Sequence, residues 1–317
     1  MHYRAVIISP HLDDAVFTCG GQMKLLIKEG PVLVLNLFTH YLGDVKDRAI
    51  VMADDRFDEE RISSQFFGYT RNNFGELEAY FRRKPYQALS NIFHPPVAED
   101  TGEYLTLLRE KVFAYLDGIE YDELYVPLGV GWHVDHILTF MLFEPWIGKK
   151  KMLFYEDIPY TLIPHALRYR LNEIGTYEKI NQDKTLAPLS RIFACFSSAY
   201  AYFNNALMKN LKPPLMRWVA TPVVCYYFYK LMARHTSIAK KNTPRYTLKS
   251  VVLPIDDFSH KLEAMALYQG QFREFFVDSM DCLNLFTTYA QQIDPTFKPV
   301  ERFWEITPLT NDTIAHT

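Results

Sequence analysis

Two short stretches concentrate the side chains that could do chemistry. Ser9-Pro10-His11-Leu12-Asp13-Asp14 follows the apolar run Ala5–Ile8, and Gly131-Trp132-His133-Val134-Asp135-His136 follows the stretch Glu123–Leu128. Imidazole nitrogen and carboxylate oxygen are donors that a catalytic divalent ion accepts, with three protein ligands and a position left for water. Together the stretches supply two imidazoles and a carboxylate for such an ion, leaving a second carboxylate and a third imidazole for chemistry. His11 and Asp14, at a sharp turn, can approach one ion from the same side, and Asp13 between them is free to act on water. His133 and His136, spaced to lie near each other at a helix start, can divide between ligation and substrate. Each stretch alone has a blander reading, a structural histidine at a strand end or an Asp pair that caps a helix. Occurring together, after two strand-like runs, they favour a shared site.

The elements that must position them alternate along the chain. Strands are expected at Ala5–Ser9, Val32–Phe38, Phe74–Leu77, Leu124–Pro127 and Met152–Tyr155, the second apolar enough to be covered on both faces. Helices are expected at Gly20–Glu29, closed by Gly30, at Asp55–Phe67, capped by Gly68, at Tyr104–Leu116 and at His136–Trp146. Ala53–Asp55 and the stretch from Pro95 to Gly102 read as surface connections. This alternation predicts an α/β fold, a Rossmann-like, mostly parallel sheet with helices on both faces. In such sheets, sites form at the carboxyl ends of strands, where both stretches fall.

At 317 residues, with 49% hydrophobic and 22% charged, the chain has the composition of a folded protein with a large core. A net charge of −3 gives no footprint for nucleic acid, which is excluded as a partner. Cys19, Cys195, Cys225 and Cys282 are scattered without metal-finger spacing, as in a reducing compartment. No secretory pattern precedes the first strand, so a cytoplasmic location is expected.

The chain divides into a catalytic core at 1–185, an aromatic-rich helical insertion at 186–245, and a C-terminal extension at 246–317 that completes the core. The extension carries a strand at Thr247–Leu253 and helices at His260–Gln269 and Asp278–Gln291. For the insertion, buried helices of a lid or subdomain rank first and an oligomer interface second. Membrane contact through 214–235 comes last, because the apolar run is short and holds Pro222 and Lys230. The oligomeric state is left open.

The two stretches resemble the signature motifs of the PIG-L/LmbE-like zinc-dependent N-acetylglucosaminyl deacetylases. The resemblance extends to Arg56–Arg61 through Gly68, to Glu78–Arg82 and to Tyr155–Tyr160, and covers residues 5–160. It implies a zinc ion, with iron(II) or cobalt(II) fitting the same ligands, held by His11, Asp14 and His136. It further implies Asp13 as general base, His133 as the group that stabilises the oxyanion or protonates the leaving amine, and Asp135 as the partner that orients His133. The expected reaction removes acetyl from an N-acetylglucosaminyl conjugate, a small-molecule or glycoconjugate substrate. Cleavage of another N-acyl metabolite, or a non-catalytic sugar-binding module, are the alternatives. Arg56, Arg61, Glu78 and Arg82 are candidates for contacts to sugar hydroxyls or an attached phosphate, with surface ion pairing on a helix as the alternative. Leu12 and Ala15 stand where the family commonly has Pro and Glu. Gly131 stands where some members carry an oxyanion-binding tyrosine, which leaves that donor to come from elsewhere.

Overall fold

The computed structural model describes residues 1–40, 53–87, 89–93, 95–163, 166–176 and 245–309, with isolated residues between 226 and 233. The insertion at 186–245, with its membrane-facing alternative at 214–235, therefore lies almost wholly outside the described residues. So do Cys195 and Cys225. Among the described residues, no helix is long and apolar enough to cross a membrane.

A seven-stranded sheet runs in the order β3-β2-β1-β4-β5-β7-β6. Its strands are β1 (His2–Ser9), β2 (Val32–His40), β3 (Thr70–Leu77), β4 (Glu120–Pro127), β5 (Met152–Tyr155), β6 (Tyr246–Pro254) and β7 (Val300–Pro308). The first five are parallel, and β7 pairs antiparallel with both β5 and β6. The helices are α1 (Asp14–Glu29), α2 (Ala53–Phe67), α3 (Ala79–Arg82), α4 (Leu89–Ile92), α5 (Leu105–Asp117), α6 (Val134–Phe143), α7 (Ala166–Ile174), α8 (Phe258–Ala266), α9 (Gln269–Phe275) and α10 (Ser279–Ile293). This is the α/β architecture that the alternating pattern predicts.

The pleat of β1 and β2 explains the apolar runs Ala5–Ile8 and Val32–Leu35 within them. Val6, Ile8, Leu33, Leu35 and Leu37 face one core with α5, α6 and α7. Ala5, Ile7, Val32 and Val34 face a second core with α1, α8 and α10. Alternate side chains enter opposite layers, and both layers are dry. The strand order turns at β1, whose neighbours β2 and β4 lie on either side. The two polar stretches leave the carboxyl ends of β1 and β4, hydrogen-bonded neighbours at that switch point.

Several boundaries differ from the sequence expectation. α1 begins at Asp14, so Gly20 and Gly21 lie inside the helix. A Cβ on Gly20 would come within 3.2 Å of Lys261 Cγ, and one on Gly21 within 3.1 Å of both Glu301 and Ile255. The glycines serve close approach, and what approaches is a buried ion pair. Lys261 Nζ lies 2.5 Å from Glu301 and donates to the Thr18 carbonyl at 3.0 Å, while Glu301 accepts the N–H groups of Gly21 and Gln22 at 2.7 Å each. α2 starts at Ala53, inside the stretch expected as a loop, and β3 reaches back to Thr70. The helix expected at His136–Trp146 runs from Val134 to Phe143, followed by a 3-10 turn at Glu144–Trp146. β7 adds a strand that the pattern did not indicate.

Stranding one charge of a buried pair costs more than the pair contributes. Lys261→Met is expected to lower unfolding free energy by about 3–5 kcal/mol, measured by urea denaturation. Adding Glu301→Gln should recover part of that loss, because the amide still accepts from α1 and no charge is left unpaired.

Candidate metal centre

The turn after β1 is held by its own polar groups. Ser9 Oγ donates to the His11 carbonyl at 2.5 Å and accepts from the Ala15 N–H at 3.0 Å. Asp14 Oδ2 accepts the His11 N–H at 2.8 Å. Asp13 occupies the N-cap position of α1, yet its side chain makes no capping bond. That carboxylate instead faces Arg56, Nη2 to Oδ1 at 3.5 Å. The bland reading of the Asp pair as a helix cap therefore fails.

Six residues singled out from the sequence converge. His11 Nδ1 lies 3.2 Å from Asp14 Oδ2, and His136 Nε2 lies 3.3 Å from the same oxygen. Each imidazole is tied at its other nitrogen to a buried carboxylate. His11 Nε2 meets Asp135 Oδ2 at 3.1 Å, and His136 Nδ1 meets Asp157 Oδ1 at 2.6 Å. Carboxylates on Nε2 of one ring and Nδ1 of the other hold protons there, so His11 Nδ1 and His136 Nε2, both facing Asp14, are the nitrogens that would ligate an ion once it displaced their protons. Donor atoms on a tetrahedral zinc at about 2.0–2.1 Å stand about 3.3–3.4 Å apart, which the two observed separations match. His133 completes a group of three imidazoles whose donor atoms lie within 4.8 Å of one another. The donor set therefore fits a divalent ion, with His11, Asp14 and His136 carrying the tighter geometry.

Asp135 differs from the expectation that its carboxylate orients His133. That carboxylate is fully buried against His11, the Ala79 N–H at 3.0 Å and Arg82 Nη1 at 2.8 Å. What His133 receives is the Asp135 backbone N–H, at 3.3 Å to Nδ1. Asp157, not singled out from the sequence, holds two elements at once. One oxygen grips His136, while the other accepts the N–H groups of Gly129 and Val130 at 2.7 and 2.8 Å. The loop it fixes is contorted, with Gly129, Gly131 and even Trp132 at positive φ. The signal was present, an acidic pair at the carboxyl end of the strand Met152–Tyr155.

Burial and charge set the proton affinities. Burial opposes the charged form of His11, but Asp135 and Asp14 outweigh it and hold its pKa well above the ordinary value. His136 is raised in the same way, by Asp14 and Asp157 against burial. Asp14 resists burial through the attraction of His136 and His11, and its pKa falls. Burial, then repulsion from His11, pushes His133 well below its usual range, so it is neutral. With Nδ1 accepting a backbone N–H, its proton sits on Nε2. Burial raises Asp13, against the pull of Arg56.

A cavity of about 180 Å³ opens over these groups, lined further by Arg56, Glu78, Tyr160 and Phe275. Arg56 Nη1 pairs with Glu78 at 3.0 Å inside it. Of the other sugar-contact candidates, Arg82 lies behind Asp135 and bridges to Asp100 at 2.9 Å, and Arg61 is exposed and paired with Asp58. Behind the metal turn, the Tyr268 hydroxyl reaches the Leu12 carbonyl at 3.2 Å and bonds Glu60, which also takes Asn36 and Tyr69.

No family model matches the chain. Over 165 residues it is 27% identical to a 2'-N-acetylparomamine deacetylase of Streptomyces fradiae, a match covering 50% of this chain and 57% of that protein's length. Two solved structures share the fold across 98% of this chain and 100% of theirs. One is a deacetylase–bog complex from teicoplanin biosynthesis (TM-score 0.61, 14% identity), the other the zinc-inhibited form of a teicoplanin deacetylase (TM-score 0.62, 13% identity). The sequence relative and these two fold neighbours are all deacetylases.

Two measurements follow. Asp157→Asn is expected to weaken metal affinity about 10- to 100-fold, read by competition with a chelator. Glu60 is pushed up to about 7 by burial, against the hydrogen bonds of Tyr268, Asn36 and Tyr69. A raised carboxyl stabilises the fold fully below its ordinary value of 4.5 and loses that contribution as pH rises through about 7. The stability of the parent relative to Glu60→Gln should therefore fall between those values, as measured by urea titrations across pH.

Proposed function

We propose that the protein is a metal-dependent hydrolase that removes an acetyl group from an N-acetylated amino sugar. The observation that carries this reading is the convergence of His11 Nδ1, His136 Nε2 and Asp14 Oδ2, with both rings fixed from behind by Asp135 and Asp157. His11, Asp14 and His136 would hold the ion, zinc by donor type, which when bound polarises the amide carbonyl and eases deprotonation of water. The carboxylates that raise the proton affinity of His11 hold a dication in the proton's place.

Asp13 accepts a proton from the attacking water. Its carboxylate is uncapped, borders the cavity and is kept available by Arg56. His133 is neutral and donates from Nε2 to the oxygen on which charge develops, and the proton held by Asp13 is the one available to the departing amine. Of the two roles the resemblance implies for His133, this reading takes the first, stabilisation of the oxyanion. Arg56 and Glu78 present a charged donor and an acceptor to sugar hydroxyls.

The test is hydrolysis of N-acetylglucosaminyl conjugates by metal-analysed protein. Asp13→Ala should retain stoichiometric zinc and lose about 10²- to 10⁴-fold in kcat. Parental turnover in that variant would refute the assignment of the base. A parent protein that binds no divalent ion would refute the metal centre.

A further inference from the structure

The cavity has two unlike walls. Beside Asp13 stand Arg56 and Glu78, an ion pair that offers hydrogen bonds in both senses. Beside His136 stand Tyr160 and Phe275, which offer ring surface. The Tyr160 ring lies 5.8 Å from the His136 ring and 6.4 Å from Phe275, and Phe275 lies 6.4 Å from Phe17, which also lines the cavity. Tyr160 and Phe275 are only partly buried. The room for Tyr160 comes from Gly131, where a Cβ would lie 2.2 Å from Tyr160 Cγ. The residue at 131 has given up its side chain, at a positive φ that glycine alone adopts freely, and an aromatic ring fills the space.

An amide cleaved at this centre has a nitrogen substituent and an acyl substituent on opposite sides of its carbonyl. With a hydroxylated ring on the Arg56–Glu78 wall, the acyl substituent points to the aromatic wall. A single methyl group covers part of one ring, whereas Tyr160 and Phe275 present two partly exposed rings 6.4 Å apart, with the buried Phe17 ring packed behind Phe275. We infer that Tyr160 and Phe275 form an acyl subsite built for an apolar acyl group larger than acetyl, an aliphatic or aryl chain on the nitrogen of the amino sugar. This rests on the proposed reading of the protein as a metal-dependent hydrolase of an N-acylated amino sugar, and it extends the acyl group of that reading beyond acetyl.

The test compares kcat/KM of the zinc-loaded full chain for N-acetyl-, N-butyryl-, N-hexanoyl- and N-benzoylglucosamine, with a control series holding N-acetyl and lengthening the anomeric alkyl group. Each buried methylene is expected to add about fourfold, so butyryl, with two more, should exceed acetyl by about 15-fold, chiefly through KM. Tyr160→Ala and Phe275→Ala should each flatten the acyl series, and Tyr160→Phe should preserve it, since the ring and not the hydroxyl makes the contact. Hexanoate should inhibit the parent more strongly than acetate, a readout that needs no variant. Acetyl as the best substrate, a gain confined to the anomeric series, or alanine variants with unchanged acyl ratios would each overturn the subsite. Hydrolysis of acetyl with a flat acyl series defeats this inference alone, and hydrolysis of none of the substrates defeats the deacylase reading with it.

Discussion

Negative charge buried at the carboxyl ends of the central strands is the constraint to which the rest of the site answers. Asp13, Asp14, Asp135 and Asp157 are each less than a tenth exposed, and isolated carboxylates do not survive such burial in ionised form. Each is compensated by a different device. Asp14 sits between two imidazoles at the positive end of α1. Asp135 takes Arg82 and the Ala79 N–H, and Asp157 takes His136 and two backbone N–H groups. Asp13 has Arg56, at 3.5 Å, together with the charge of His11 and its own backbone N–H. The least compensated carboxylate is thus the one facing the cavity, where a base is useful.

These devices require elements from the whole chain to meet at one edge of the sheet. β1 and β4 deliver the two motifs, β5 delivers Asp157, and α3 delivers Arg82 and the Ala79 N–H. The C-terminal extension contributes from behind. β7 enters the sheet antiparallel beside β5, carries Glu301 to α1 and so fixes the helix whose first turn holds Asp14. Tyr268, just before α9, ties the Leu12 carbonyl to Glu60 on α2. β6 and β7 thus belong to the same sheet, and Tyr268 braces the same site from behind.

Much of this was legible because two physical periodicities leave marks in sequence. Strands buried on both faces read as apolar runs, and polar residues directly after them stand out, which located His11, Asp13, Asp14, His133 and His136. What failed was information that exists only between elements. Gly20-Gly21 reads as a helix boundary when propensity alone is weighed. The glycines are there because Lys261 and Glu301, far along the chain, press against the helix. Asp135 was assigned to its sequence neighbour His133, whereas the pleat and turn carry its carboxylate to His11. β7 escaped because an antiparallel strand added to a parallel sheet follows no βαβ rhythm.

The loop at Gly129–Trp132 shows how the same charges tie strain to function. Three residues there hold positive φ, one of them a tryptophan, and such backbone persists only where its surroundings over-determine it. Asp157 supplies that determination through Gly129 and Val130, and Glu173 anchors the Trp132 indole at 3.1 Å. The contortion brings Tyr160 against Gly131 and aims His133 at the cavity. Because the carboxylate that enforces this backbone also grips His136, loop geometry and metal-ligand geometry are two consequences of one set of hydrogen bonds. A dication at this centre would stabilise the fold by mass action. The aromatic wall beside the centre is shaped, through the Gly129–Trp132 loop, by the same carboxylate that grips His136.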